Sequence, residues 1–312
     1  MNRWPLARYR FRVRMDTDLT LPAFSGSLLR SVFGSALKHQ VCPGHGDQPC
    51  PETCAYRVLF EPAIQPGERF PDAPPPLIFQ FTEAHQVMAD DYLEFTQTLL
   101  GPALDYLTLI TEIWRQAFVR GIGRNRITGR LASVALEQPE GFSVNKEWLP
   151  VYSSTEGRFL AHQPGLELPF PEPSGDLTLH LQTPLRLMES GQLLGQGRLT
   201  TEAFAKALLR RIQQANHLYL HQAVPDWWQF RTWFEPVVLS GKLRKIGLNR
   251  YSSRQQQAMR LTGVLGDIHL TGVCPELQPW LMLGQYLHLG KNSAFGFGQY
   301  RLTSGCNGLH NG

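Results

Sequence analysis

Residues 8 to 15 read Arg-Tyr-Arg-Phe-Arg-Val-Arg-Met. Side chains alternate across a β-strand, so this run admits one arrangement. Tyr9, Phe11, Val13 and Met15 share a face that belongs in a core. Arg8, Arg10, Arg12 and Arg14 share the opposite face. That second face must be open to water or to an anion, so the chain starts as one strand of a half-covered sheet. Two explanations for the arginines stand side by side: a polyanion-binding surface, or a charge-blunted face that resists aggregation.

The residues that follow alternate between helical and strand periods. Leu29, Val32, Phe33, Ala36 and Leu37 recur at helical spacing and predict a first helix ending near Cys42-Pro43-Gly44. Strands are expected at Arg57–Phe60, Leu77–Phe81 and Tyr92–Leu99. A second helix opens at Gly101-Pro102 with Leu107, Ile110, Trp114 and Phe118 on one stripe. It leads through Gly121–Arg126 into a strand at Arg130–Leu136. The order β-α-β-β-α-β is that of a ferredoxin-like unit.

The pattern restarts after the proline-rich stretch Gln163–Gly175. Leu177–Leu187 reads as a strand and Thr201–Leu220 as a helix. Phe234–Leu248 and Gln257–Leu270 read as two strands. Leu277–His288 reads as a helix, Gly290–Gly298 as a glycine-rich loop and Gln299–Thr303 as a strand. The expected fold is therefore α+β, two tandem ferredoxin-like units. Their expected bounds are 1–162 and 176–303, with a flexible tail at 304–312. RNA-recognition modules of this shape bind RNA on the sheet face that helices leave open.

Charge is uneven along the chain. The whole sequence carries +4, with 30 basic and 26 acidic residues. From Pro236 onward there are eight basic residues, Lys242, Arg244, Lys245, Arg250, Arg254, Arg260, Lys291 and Arg301, against the two acids Asp267 and Glu276. A second cluster holds Arg120, Arg124, Arg126 and Arg130. Arginine's planar fork of donors suits phosphates and base edges. An anionic partner is the expectation. No eighteen-residue apolar run and no signal-peptide stretch at the start are seen, so a cytoplasmic protein is expected. Phosphate-loop, dinucleotide and hydrolase-elbow motifs are absent, which argues against a metabolic enzyme.

Five cysteines do not read as a disulfide framework. Cys42, Cys50 and Cys54, with His45 between them, offer three thiolates and one imidazole, a set able to hold structural zinc. The spacing is looser than paired CxxC elements. Free, partly buried thiols are therefore the expected state and zinc the alternative.

Four segments, in order, resemble the RAMP-type precursor-RNA endoribonucleases, the sixth CRISPR-associated protein family. They are Phe24–Leu37 with Arg30 and Gly34, followed by Tyr56–Pro62; Gly121–Arg126; Arg250–Gln255; and Leu287–Gly298. The resemblance implies a double ferredoxin-like fold that binds CRISPR repeat RNA through glycine-rich loops and basic surfaces. It implies cleavage of precursor crRNA without a catalytic metal or cofactor, leaving a 2′,3′-cyclic phosphate and a 5′-hydroxyl. The alternative is a non-catalytic RAMP subunit that binds crRNA in an effector complex. Other CRISPR effector or adaptation proteins are candidate partners. Candidates for catalysis are His39, His288, Lys291 and Tyr56. Candidates for RNA contact are Arg30, Arg124, Arg126, Arg130, Lys242, Arg244, Lys245, Arg250, Arg254, Gly290, Gly296 and Gly298. His288 has a plainer reading as a buried core residue on the helix stripe.

Overall fold

A computed structural model describes residues 3–22, 25–42, 50–62, 69–70, 74–80, 86–138, 147–168, 175–195, 197–252 and 257–304. The first unit contains β1 (Leu6–Met15), α1 (Ser25–Val41), α2 (Ala55–Leu59), β2 (Leu77–Phe79), β3 (Tyr92–Leu100), α3 (Leu107–Arg120) and β4 (Gly129–Gln138). Strands β5 (Glu147–Ser153) and β6 (Arg158–Phe159) extend its sheet, whose order is β2-β3-β1-β4-β5-β6. The second unit contains β7 (Gly175–Leu181), α4 (Thr201–Ala215), α5 (Trp227–Phe234), β8 (Val238–Ser252), β9 (Gln257–Val273), α6 (Gln278–Leu287) and β10 (Tyr300–Ser304). Its sheet runs β8-β9-β7-β10. Both sheets place the first strand of the unit between the third and the fourth, and every pairing in them is antiparallel. The two units therefore share one ferredoxin-like topology.

The alternation in β1 is realised as expected on the core side. Tyr9, Phe11, Val13 and Met15 are fully buried with Leu29 and Phe33 of α1 and Trp114 of α3. The arginine side is a different matter, because the second unit covers its start. Leu6 joins the second unit's core, and Trp4 meets Trp280 edge to face at 5.8 Å. Arg8, only 4% exposed, lies over the Tyr286 ring at 4.3 Å and donates 2.7 Å to the Gln285 carbonyl. It also pairs with Glu137 at 3.2 Å, and the Tyr286 hydroxyl donates to the same carboxylate at 3.1 Å. Arg10 and Arg12 share Glu94 and stack on Trp148 and Tyr92, while Arg14 reaches Asp90. All four arginines have a carboxylate partner, with Arg8 buried against the second unit and Arg10, Arg12 and Arg14 partly or fully exposed.

The Arg8–Glu137 pair makes a direct prediction. Breaking a buried pair leaves an uncompensated charge and costs about 3–5 kcal/mol, whereas replacing both partners with apolar groups is close to neutral. Glu137→Ala should lower stability by about that amount in urea titration. Arg8→Met combined with Glu137→Leu should recover most of it. Equal stability of Glu137→Ala and wild type would show that the pair contributes nothing.

Local corrections concern short or interrupted elements. Residues 55–59 form helix α2, not the strand expected at Arg57–Phe60; Tyr56 and Leu59 are buried one helical turn apart. The first strand of the second unit stops at Leu181, before the expected Leu187. The helix expected to reach Leu220 ends at Ala215 and loosens into a wider turn over Asn216–Leu220. Helix α5 has no counterpart among the expected elements; Asp226 caps it by accepting from the Gln229 N–H at 2.8 Å. Among the described residues no helix is long and apolar enough to cross a membrane.

Candidate nucleic-acid interface

The loop after α6 is held by hydrogen bonds within itself and to residues 183–186. Leu289 N–H donates to the Gly298 carbonyl, Lys291 N–H to Arg186, Gly296 N–H to Ser293 and Gly298 N–H to Pro184, at 2.8–3.0 Å. The Thr183 hydroxyl donates to the Gly296 carbonyl at 2.7 Å. Gly290 sits at φ +80°, where a Cβ would lie 2.5 Å from the Arg186 carbonyl oxygen. Gly298 sits at φ +72° against the Leu289 carbonyl. Glycine is needed there for close backbone approach and a left-handed conformation. The N–H groups of Gly296 and Gly298 are thus committed to the Ser293 and Pro184 carbonyls and do not face a ligand. Gly290–Ala294 is the part that lines open space.

That space is a groove of about 660 Å³ between the loop and α4. Arg186, Lys206, Arg210, Arg211 and Lys291 line it, opposed by one acid, Glu189. Lys206 is paired with Glu202 across one helical turn, and Arg186 is pinned to the Thr262 carbonyl at 2.8 Å. Lys291 is exposed. Arg211 is the unusual member. It is 5% exposed, on the side of α4 that packs toward α6. Its Nε donates to the carbonyls of Leu287 and His288 at 2.8 and 3.1 Å, where α6 runs out of intrahelical partners. Its Nη1 donates to Gln214 Oε1 at 3.0 Å, and its Nη2 has no hydrogen-bond partner among the described residues. Burial pulls its pKa down to about 10, which leaves it charged at neutral pH. Among the described residues no carboxylate pairs with it. A buried cation without a counter-ion is costly, and an anion in the groove would relieve that cost.

His288 is fully buried. Its Nε2 lies 3.2 Å from the Gln80 amide. With the amide oxygen turned inward, Gln80 accepts from His288 and from Arg8 Nε at 2.7 Å. His288 therefore belongs to the buried contact between the units, and the core reading applies. His39 is exposed in the last turn of α1. Nine residues separate it from Arg30, which places it half a turn round the helix and about 13 Å along its axis. Arg30 itself bridges the units: its guanidinium lies over Phe60 at 4.0 Å and over Phe295 of the glycine loop at 5.3 Å. Tyr56 is buried, and burial, followed by the nearby Glu61 charge, pushes its pKa up to about 12. A phenol so placed keeps its proton at neutral pH and is no general base. Lys38 Nζ lies 5.8 Å from its ring.

The remaining candidates are dispersed. Arg124 and Arg126 are exposed on the loop after α3, and Arg130 pairs with Asp16 at 3.5 Å. Lys242, Arg244 and Lys245 are exposed on edge strand β8, with Lys242 opposite Asp267 in register. Arg250 lies on β8, its side chain outside the described residues, as are Arg254 and His45. On the face of the second sheet away from the helices, polar groups satisfy one another: His180 bridges Asp267 at 2.9 Å and Thr303 at 3.0 Å. The groove thus joins Lys291 and Gly290 to four basic residues that no sequence motif singles out. A signal exists all the same, since Lys206 and Arg210 fall one turn apart on α4 with Arg211 directly after them.

A family model for the CRISPR-associated endoribonuclease Cas6 matches residues 179–300, and a second model, described as an N-terminal domain, matches residues 4–164. The second unit carries the Cas6 family's domain. Solved Cas6 structures share the fold. A Cas6 product complex superposes with a TM-score of 0.55 at 13% identity, over 96% of this chain and 98% of that one. Cas6 from Thermus thermophilus gives 0.53 at 13% identity, over 97% and 100%. A chain of a partial Cas6-RT-Cas1–Cas2 complex gives 0.57 at 14% identity; this chain is covered over 98% but spans only 47% of that larger one. No curated protein sequence matches the chain.

Proposed function

We propose that this protein binds CRISPR repeat RNA and cuts precursor crRNA by attack of the RNA's own 2′-hydroxyl. The observation that carries the reading is the groove in which buried Arg211, without a carboxylate partner among the described residues, and exposed Lys291 meet beside the glycine loop. A phosphate is the anion that suits such a fork and point charge together. In the proposed reaction the 2′-oxygen bonds to the adjacent phosphorus and the bond from phosphorus to the 5′-oxygen breaks. One proton leaves the 2′-hydroxyl and another reaches the departing 5′-oxygen. The protein's tasks are to hold the sugar and phosphate in line, move those protons and offset the charge that grows on phosphorus. No metal-bound water is needed, because the substrate carries the nucleophile. His39 is the histidine candidate that RNA can reach. Given the fold shared with the Cas6-RT-Cas1–Cas2 chain, adaptation proteins are proposed as partners beside the RNA.

The test is incubation of the protein with labelled repeat RNA without added divalent cation. A cut at one position supports the nuclease. Tight binding without a cut would replace it with a non-catalytic crRNA-binding subunit. The groove has its own test. Removing one phosphate-binding cation should flatten the dependence of log affinity on log salt by about 0.7 for single-stranded RNA. Arg210→Ala with Lys291→Ala removes two and should flatten the slope by about 1.4, and an unchanged slope would move the RNA off the groove.

A further inference from the structure

The end of α1 and the start of α2 bring three thiols to one point. Cys42 follows the last residue of α1, its N–H donating to the Lys38 carbonyl at 3.0 Å. Cys54 is the N-cap of α2, and its N–H donates to the Pro51 carbonyl at 3.0 Å. Cys50 is fixed through its carbonyl, which accepts from Arg57 Nη1 at 2.6 Å. The three Sγ atoms lie within 4.8 Å of one another, with Cys42 and Cys50 at 3.2 Å. All three residues are partly buried.

We propose that Cys42, Cys50 and Cys54 bind a structural zinc ion. Thiolates held about 2.3 Å from a tetrahedral zinc stand about 3.8 Å apart, within the spread these sulfurs already show. A disulfide would use two of the sulfurs and strand the third against it; zinc uses all three. Among the described residues the cluster offers three ligands, and the fourth corner would be open to a further donor. Three thiolates on Zn²⁺ leave a net charge of −1, and the Arg57 guanidinium bound to the Cys50 carbonyl stands ready to offset it. Binding would release the thiol protons as the metal enters. The ion would fasten the last turn of α1, which carries Lys38 and His39, to the first turn of α2, which carries Tyr56. At its N-cap α2 has no side-chain hydrogen bond, so the metal would supply an anchor that a cap does not.

Elemental analysis of the full chain, purified without added metal, should find about one equivalent of zinc, since structural zinc binds tightly at neutral pH. Cys50→Ser should lose most of it, and Cys274→Ser, at a cysteine outside the cluster, should keep it. Less than about a tenth of an equivalent of any transition metal would overturn the proposal. So would full zinc content in Cys50→Ser. Should Cys50→Ser not fold, wild-type protein exchanged with Co²⁺ decides: near-ultraviolet thiolate-to-cobalt charge-transfer bands are expected, and their absence overturns the assignment. These readouts involve no RNA, so they stand or fall apart from the cleavage reading.

Discussion

Replacing the ribose 2′-hydroxyl just upstream of the cut with hydrogen should abolish cleavage of repeat RNA. The hydroxyl sits on the same sugar as the phosphate it attacks, on the carbon next to the one that carries it. Well-oriented neighbours of that kind react with effective molarities of about 10⁵–10⁸ M, an advantage no solvent nucleophile in an unprepared position recovers. Binding should survive, because phosphates carry most of the affinity and all of them remain. The measurement is single-turnover cleavage with saturating protein, paired with analysis of product ends on the unmodified RNA. A 2′,3′-cyclic phosphate and a 5′-hydroxyl are expected. Normal cutting of the deoxy substrate would rule out the mechanism, whatever the affinity.

His39→Ala should slow the same single-turnover step by about 10²–10⁴-fold while repeat affinity stays near wild type. His39 is exposed at the end of α1, whereas His288 is sealed against Gln80 at the contact between the units. His288→Ala should therefore lower stability and leave the rate of the remaining folded protein unchanged. A full rate in His39→Ala would remove His39 from the chemistry. Full rates in both would mean that RNA is aligned for attack without a histidine.

The α5 helix and the α2 helix show why parts of the fold escape a reading of the sequence. A four-residue run with apolar positions satisfies a strand period and a helical turn equally well. Arg57–Phe60 is such a run, and only the burial of Tyr56 and Leu59 on one side of α2 decides it. In α5, Phe230 and Phe234 sit one turn apart behind an Asp226 cap, but eight residues hold too few periods to stand out beside a long strand. Long periodic segments are legible for the opposite reason. The stripe Phe204, Leu208, Ile212 and Ala215 is buried as expected.

Of the proposed interface, the glycine loop and Lys291 are visible as residue types in a pattern. The groove is not. Arg211 sits among the apolar residues of α4 and looks in sequence like one more solvated base. Its burial, its two carbonyl contacts at the end of α6 and its unpartnered Nη2 exist only because α4 and α6 pack together. The same division separates the two sides of β1. Alternation alone determined that Tyr9, Phe11, Val13 and Met15 point to one face and the arginines to the other, since the period of a strand is a property of the backbone. What the arginines meet was decided by tertiary structure. For Arg8, the Glu137 carboxylate on β4 arrives from 129 residues away and the Gln285 carbonyl on α6 from 277. No local pattern can encode a partner that distant, because it is the packing of whole elements that brings opposite charges within reach.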